Sequence, residues 1–214
     1  MPESVGYDLV CVPPLMARDH FSSHGLYLEN IRSAFARRAP GLRIEVVGLS
    51  TTSPNETRLH RRYLQFYVLP RLLRQCLARP RERPVVVNIL DQHYAYLKAG
   101  GGVPFVLTCH GVFNKVGSRL TRSPLYRYQT RLLPEIDRIV AVSNDAKDDL
   151  VKTFGVDSRR VSVSHYGVEP VFGAGEHVPL FPERGNSTML LHVGTNLRRK
   201  NVGIVLRSMK MAVD

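Results

Sequence analysis

Long apolar runs are missing from this sequence, and cysteine is scarce. No uninterrupted apolar stretch reaches the roughly 18 residues that a membrane-spanning helix needs. The opening residues, MPESVGYDLVCVPP, have no basic stretch ahead of their apolar part, which argues against a secretory signal. Cys11, Cys76 and Cys109 are odd in number and do not have the spacing of a metal site. We therefore expect a cytoplasmic protein whose cysteines are reduced core thiols.

Two glycine motifs that bind nucleotides are also missing. No G-x-G-x-x-G follows the first apolar segment, and no G-x-x-x-x-G-K-[ST] occurs anywhere. Dinucleotide-dependent oxidoreductases and P-loop NTPases use these motifs to hold phosphates, so the sequence lacks the fingerprint of either class.

Acidic residues are outnumbered. The sequence has 30 Lys and Arg residues but only 18 Asp and Glu residues, which gives a net charge of +12 and a sequence pI near 10.1. Such a charge favours anionic partners: nucleic acid, an acidic membrane surface or a phosphorylated ligand. The alternative is an arginine-rich coding bias without function. Half of the excess lies in residues 56–83, where eight arginines accompany only Glu56 and Glu82.

What is present is typical of a globular protein with one complete domain. Hydrophobic residues make up 43% and charged residues 22% of the 214 residues. Short β-branched segments alternate with longer amphipathic ones, and several of the short segments are apolar on both faces. This pattern predicts an α/β fold, a doubly wound parallel sheet covered by helices on each side. The predicted strands are Tyr7–Val12, Arg43–Gly48, Pro84–Leu90, Pro104–Cys109, Arg138–Val142, Arg160–Ser164 and Ser187–Val193.

Capping residues mark the helices. Ser23 precedes the amphipathic stretch GLYLENIRSAFARR. Ser143 precedes NDAKDDLVKTF, and Gly155 ends it. A third helix is predicted from Asn201 onward.

Composition also predicts the domain boundaries. Residues 167–186 are rich in Gly and Pro and have no periodicity, which is typical of a linker. We expect a first domain in residues 1–166. We expect residues 187–214 to form the first strand-helix unit of an incomplete second α/β domain.

Polar residues follow the predicted strands, at the edge where open parallel sheets bind ligands. His110 comes directly after a strand and beside Gly111; it either contacts a ligand or is a structural histidine bonded to a neighbouring loop. Asp91 and His93 either bind a ligand or cap a helix. Gly25, at a helix start, can present backbone amides to a phosphate.

A basic turn follows the strand that ends at Gly194. Arg198, Arg199 and Lys200 precede the helix predicted from Asn201. Such cations at a helix start can neutralise a diphosphate, and a solvated basic turn is the alternative.

Taken in order, four segments resemble the GT-B glycosyltransferases, specifically glycosyltransferase family 4. They are PFVLTCHG, DRIVAVSNDAKDDLVKTFGV, VSVSHYGVEPVF and LLHVGTNLRRKNV. The resemblance covers most of the chain and is densest after about Val85. It implies a Rossmann-like acceptor-side domain followed by the start of a nucleotide-sugar-binding domain.

The resemblance implies residue roles. His110 matches the histidine that contacts the donor sugar, and Lys200 matches the lysine that binds the donor diphosphate. Gly25 roughly matches a glycine loop near phosphate and acceptor. Two positions depart from the family: Thr195 stands where an arginine often follows Gly194, and Tyr166 replaces the linker asparagine.

The resemblance also implies the reaction. A sugar would pass from a nucleoside diphosphate sugar to a saccharide or lipid-linked acceptor with retention, and the cations would stabilise the leaving diphosphate without a metal or cofactor. No D-x-D metal signature is present. The family's paired glutamates would fall beyond Asp214, so residues 1–214 alone are expected to be truncated and inactive.

The arginine-rich segment 56–83 allows two interpretations. Arginines interleave with aromatic and aliphatic residues, which suits a helix lying on an anionic membrane. The alternative is a core-facing helix with a solvated basic face. Pro70 is expected to kink or divide it.

A different class of function also fits the charge. A non-enzymatic, basic Rossmann-like module would bind nucleic acid or another anion. The sequence has no nucleic-acid motif and no aromatic stacking pattern, which makes nucleic acid the less favoured partner.

Overall fold

The computed structural model describes residues 6–15, 23–49, 57–100, 102–111, 123–167 and 201–213. The chain divides into two units, Met1–Gly167 and Val168–Asp214. The domain and linker boundaries at residues 166 and 186 stay predictions.

Six strands of the first unit form one sheet, in which every pair is parallel and the order is β2-β1-β3-β4-β5-β6. The predicted doubly wound α/β fold is confirmed, and these six strands lie within two residues of their predicted bounds. The seventh predicted strand, Ser187–Val193, lies outside the described residues. The strands are β1 Asp8–Val12, β2 Arg43–Val46, β3 Val85–Ile89, β4 Phe105–Cys109, β5 Arg138–Ala141 and β6 Val161–Val163.

The sheet buries apolar side chains on both faces. In β1, Leu9 and Cys11 belong to a cluster with Leu28 of the first helix, whereas Val10 and Val12 belong to the larger cluster on the opposite face. Alternate residues of a strand point to opposite faces, so a strand that is apolar at every position must be covered twice. This explains why most positions of the central strands are apolar.

Helices connect the strands. None of those in the described residues is both long and apolar enough to cross a membrane. The α-helices are α1 Ser23–Arg38, α2 Arg58–Tyr63, α3 Leu69–Leu77, α4 Pro124–Thr130, α5 Asn144–Phe154 and α6 Val202–Val213. A π-helical segment spans Leu64–Val68, and 3-10 helices span Gln92–Gly100, Leu133–Glu135 and Ser158–Arg160.

The predicted caps of α5 are confirmed. The Ser143 hydroxyl accepts a hydrogen bond from the Ala146 N–H at 3.1 Å. Gly155 ends the helix with a φ of 66°, a left-handed conformation that favours glycine. The helix predicted from Asn201 begins at Val202.

The arginine-rich segment forms α2, the π-helical segment and α3 as one helical run. Proline lacks an N–H, and its ring clashes with the carbonyl four residues back in an α-helix. The run widens before Pro70, where the Leu69 N–H bonds to the Leu64 carbonyl five residues back. The proline therefore divides the run by a wider turn and does not break it.

The three cysteines are free and buried, as predicted. Burial raises the pKa of Cys11 and of Cys109 to about 11. Their thiols therefore stay protonated and pack as apolar groups.

Candidate functional site

The topology of the sheet defines where a ligand is expected. The chain passes from β1 outward to β2 and then returns to place β3 on the other side of β1. The order of the strands reverses between β1 and β3, and open α/β sheets bind ligands at the carboxyl ends of the strands at such a point. His110 follows β4, the strand next to β3.

His110 is held by contacts on three sides. Its Nε2 lies 2.8 Å from the Leu90 carbonyl oxygen at the end of β3. Its Nδ1 contacts the Tyr166 hydroxyl. The ring of Tyr27 meets the imidazole edge to face, with centroids 5.0 Å apart. The sequence allowed two roles for His110, and these contacts are those of the structural one, a histidine bonded to neighbouring loops. Its contact with a donor sugar stays a prediction.

The Leu90 carbonyl sets the tautomer of the neutral ring. A carbonyl oxygen only accepts, so Nε2 carries the proton and Nδ1 keeps its lone pair. The Tyr166 hydroxyl then donates to Nδ1. Burial raises the pKa of Tyr166 to about 12, so this hydroxyl keeps its proton at neutral pH. Nδ1 is therefore a hydrogen-bond acceptor for a hydroxyl group at this edge of the sheet.

Gly111, next to His110, has a backbone that side chains rarely adopt. Its φ is 125°, and a Cβ built there would meet no atom within 4 Å. The requirement for glycine is therefore conformational. The Gly111 carbonyl accepts a hydrogen bond from Gln92 Nε2 at 3.0 Å.

Gln92 is a functional candidate that the sequence did not single out. Its side chain is 2% exposed, and its Oε1 has no hydrogen-bond partner in the described part of the chain. A buried polar atom without a partner costs free energy and is often found at a ligand site. The sequence signal was its position in the polar stretch that follows the strand predicted to end at Leu90.

Asp91 and His93 contact each other. Asp91 Oδ1 accepts from the His93 N–H at 2.7 Å and lies 2.7 Å from His93 Nδ1. Asp91 therefore caps the 3-10 helix, as one of its two predicted roles required. Burial lowers the pKa of His93, but the hydrogen bond and charge of Asp91 outweigh it, so the pKa is raised above 6.5. Ligand binding by either residue stays a prediction.

Tyr94 joins the loops that follow β1 and β3. Its hydroxyl accepts a hydrogen bond from the Leu15 N–H at 3.1 Å. Burial raises the pKa of Tyr94 to about 12. The contact spans 79 residues of sequence, so no local pattern predicts it.

The remaining predicted residues have different outcomes. Gly25 lies buried in the first turn of α1, as predicted, and its phosphate contact stays a prediction. Gly194, Arg198, Arg199 and Lys200 lie outside the described residues. Among the described residues, no three His, Cys, Asp or Glu side chains lie close enough together to hold a metal ion.

These observations define a class: a doubly wound α/β protein with a polar site at the switch point of its sheet. The sequence profile of Glycosyltransferase Family 4 matches residues 24–172, more than half of the chain. The chain belongs to this family.

Of two further comparisons, one finds no match and the other finds a partial one. Among proteins whose functions have been curated, none matches this sequence. The crystal structure of a glycosyltransferase from Rickettsia africae ESF-5 is similar, with 17% sequence identity and a TM-score of 0.45. The match covers 78% of this chain and 45% of that one, so the chain spans less than half of that protein's length.

Proposed function

We propose that this chain is the acceptor-side part of a retaining GT-B glycosyltransferase. It takes a sugar from a nucleoside diphosphate sugar and passes it to a saccharide or lipid-linked acceptor. Membership of the family supports sugar transfer in general. The observation that carries the proposal is His110, held at the carboxyl edge of the sheet by the Leu90 carbonyl, with an Nδ1 that accepts from a hydroxyl group, that of Tyr166.

His110 acts on the donor sugar in this proposal. Its Nδ1 accepts a hydrogen bond from a sugar hydroxyl, which replaces the Tyr166 hydroxyl that contacts it in the free protein. The Tyr166 hydroxyl and the sugar hydroxyl that replaces it are chemically similar, since each donates a hydrogen bond through its O–H. The imidazole orients the sugar.

The cations act on the leaving group. The bond between the anomeric carbon and the diphosphate oxygen breaks, and a bond to the acceptor oxygen forms on the same face of the sugar. The acceptor's proton passes to the departing diphosphate. Lys200, with Arg198 or Arg199, neutralises the charge that grows there, so the proposal needs no metal or cofactor.

Gly25, Asp91 and His93 complete the proposed site on the acceptor side. Gly25 lies at the start of α1, and the other two residues follow β3, so their positions suit groups near phosphate or acceptor. We propose that the reaction takes place in the cytoplasm, because the three scattered thiols are typical of a reducing compartment.

Nucleotide-sugar turnover tests the proposal. The protein at its natural full length is incubated with UDP-glucose or GDP-mannose and candidate acceptors, with residues 1–214 in parallel. We expect acceptor-dependent release of UDP or GDP by the full-length protein. We also expect a product whose anomeric configuration, read by proton NMR, equals that of the donor.

Two histidine variants test whether sugar transfer depends on His110. H110A is expected to lower kcat/KM by about a hundredfold, because it removes a positioned polar group from the reacting sugar. H60A, which removes an exposed histidine of α2, is expected to leave it unchanged. Failure of the full-length protein to bind any nucleotide sugar would refute the proposal, and an inverted product would refute retention alone.

A further inference from the structure

The amino-terminal half of the arginine-rich run exposes apolar and aromatic side chains in a row. Leu59, Tyr63 and Tyr67 are 78%, 54% and 50% exposed, and they are spaced four residues apart. The rings of Tyr63 and Tyr67 stack with centroids 5.4 Å apart, which places them on the same side of the run. Neither α2 nor the π-helical segment buries a single residue. We name this surface the basic-aromatic face; it comprises these three residues with Arg58, Arg62 and Arg71.

The arginines of the basic-aromatic face are exposed. No described acidic residue lies within ion-pair distance of Arg58, Arg62 or Arg71. The Arg71 guanidinium lies over the Tyr67 ring, 4.5 Å from its centroid. Arginines beyond the end of the run are used differently, since Arg79 and Arg81 both pair with Glu45. Positive charge therefore concentrates where the apolar side chains are exposed.

We propose that the basic-aromatic face docks on an anionic lipid bilayer. Arginine near such a surface is attracted by the negative potential of its headgroups. Tyrosine favours the boundary between headgroups and acyl chains because one end of its ring is apolar and the other is polar. An exposed leucine in the same row can enter the acyl region. Charge and apolar character thus lie together on one surface.

The ring contacts favour a bilayer over nucleic acid. A protein that binds single strands presents aromatic faces on which bases stack. Here Tyr63 stacks on Tyr67 and Arg71 lies over Tyr67, so at least one face of each ring already has a partner. Leu59 adds apolar surface that a phosphate backbone cannot use. Nucleic acid is therefore an outcome of the test and not the occupant proposed.

Docking here would bring the switch-point site toward the bilayer. The Gln65 carbonyl of the run accepts a hydrogen bond at 2.6 Å from the hydroxyl of Tyr96, which lies in the 3-10 helix that leaves the carboxyl edge of the sheet after β3. That edge carries His110. Docking does not depend on sugar transfer; only the link to a lipid-linked acceptor rests on the proposed function.

Vesicle co-sedimentation tests the docking. The probes are vesicles of phosphatidylcholine alone and vesicles that also contain phosphatidylglycerol. We expect binding to rise with phosphatidylglycerol content and to fall with added salt. The triple variant R58Q/R62Q/R71Q is expected to weaken binding by about a hundredfold, since three attracted arginines are lost.

A charge-matched triple variant is the control. R32Q/R79Q/R159Q removes three exposed arginines that pair with Glu29, Glu45 and Asp157, and so changes the net charge equally. It is expected to bind nearly as well as the wild type. The variant L59S/Y63S keeps the charge and is expected to bind less at every lipid composition. Circular dichroism and thermal unfolding establish that all variants fold.

Three results would overturn the proposal. One is binding that is the same for neutral and anionic vesicles. Another is an equal loss of vesicle binding in the two triple variants, which would indicate net charge alone. A gel shift with RNA or DNA that only R58Q/R62Q/R71Q abolishes, with no vesicle binding by the wild type, would assign the face to nucleic acid.

Discussion

The two edges of the parallel sheet use their polar groups differently. At the amino edge, carboxylates meet cations. Arg81, which precedes β3, donates to Glu45 at 2.8 Å and lies 3.5 Å from Asp8. Lys98 lies 2.7 Å from Asp137, which also accepts from the Phe105 N–H. At the carboxyl edge, His110 and Gln92 meet backbone carbonyls instead.

The pKa values show the effect of the pairing. The hydrogen bond from Arg81 is the main cause that holds the pKa of Glu45 below its usual value. Burial alone raises the pKa of Asp137, but the bonds from Lys98 and the Phe105 N–H more than reverse this. The amino edge is therefore built for stability. At the carboxyl edge, backbone carbonyls hold His110 and Gln92 beside the Asp91–His93 pair, and Gln92 Oε1 has no described partner. At the amino edge, Asp8 Oδ1 and Arg81 Nε have none among the described residues either.

Removing the central cation of the amino edge is expected to have the largest effect on stability. Arg81 is mostly buried between two carboxylates, so R81M leaves Asp8 without its cation and Glu45 with only the exposed Arg79, and it is expected to lower the free energy of unfolding by about 3 kcal/mol. R79M removes an exposed arginine from the same glutamate and is expected to cost less than about 1 kcal/mol. Urea unfolding measures both, and equal midpoints would contradict the assignment.

Introducing backbone strain at the carboxyl edge is expected to have the second largest effect on stability. G111A forces a side chain onto a φ of 125° and is expected to cost about 2 kcal/mol. G41A is the matched control, because its Cβ also meets open space and its φ is not positive. Urea unfolding of both variants decides the matter. If G111A were as stable as G41A, the backbone conformation at position 111 would not require glycine.

Removing the link between the loops after β1 and β3 is expected to have a smaller effect on stability. Y94F removes the hydroxyl that accepts from the Leu15 N–H and is expected to cost about 1 kcal/mol. Y7F, which removes the hydroxyl of an exposed tyrosine, serves as the control. Thermal unfolding of the two variants measures the difference, and an unchanged Y94F would remove this link from the account.

The titration of His93 is the finest test of the carboxyl edge. Asp91 raises the pKa of His93 above 6.5, so the stability from this pair is complete below pH 6.5. It is lost as the pH rises through the folded pKa. In D91N only burial remains, and the His93 pKa is expected to fall below 6.5. Proton NMR titration measures both values; a pKa that does not move would contradict the pairing.

The sheet could be predicted from the sequence because its signal is local. Continuous apolar segments such as VVVNI and FVLTC must be covered on both faces, whatever their neighbours are. The caps of α5 were equally predictable, since Ser143 and Gly155 act on the helix they flank.

The contacts of the site could not be predicted in the same way. His110 meets Leu90 across 20 residues and Tyr166 across 56, and neither distance leaves a periodic pattern. The 3-10 helix Gln92–Gly100 has no apolar repeat of the α-helical kind. The eight arginines look alike in sequence, and only the fold separates those that pair with Glu45 from those of the basic-aromatic face.

The central claim is that His110 Nδ1 accepts a hydrogen bond from the donor sugar, and nitrogen NMR of labelled histidine tests it directly. The protein is titrated with UDP-glucose, with GDP-mannose and with UDP or GDP alone. The account predicts that a nucleotide sugar shifts the unprotonated Nδ1 resonance of His110, that the bare nucleotide does not, and that His60 stays unchanged. A His110 resonance that remains in place while a nucleotide sugar is bound would contradict it.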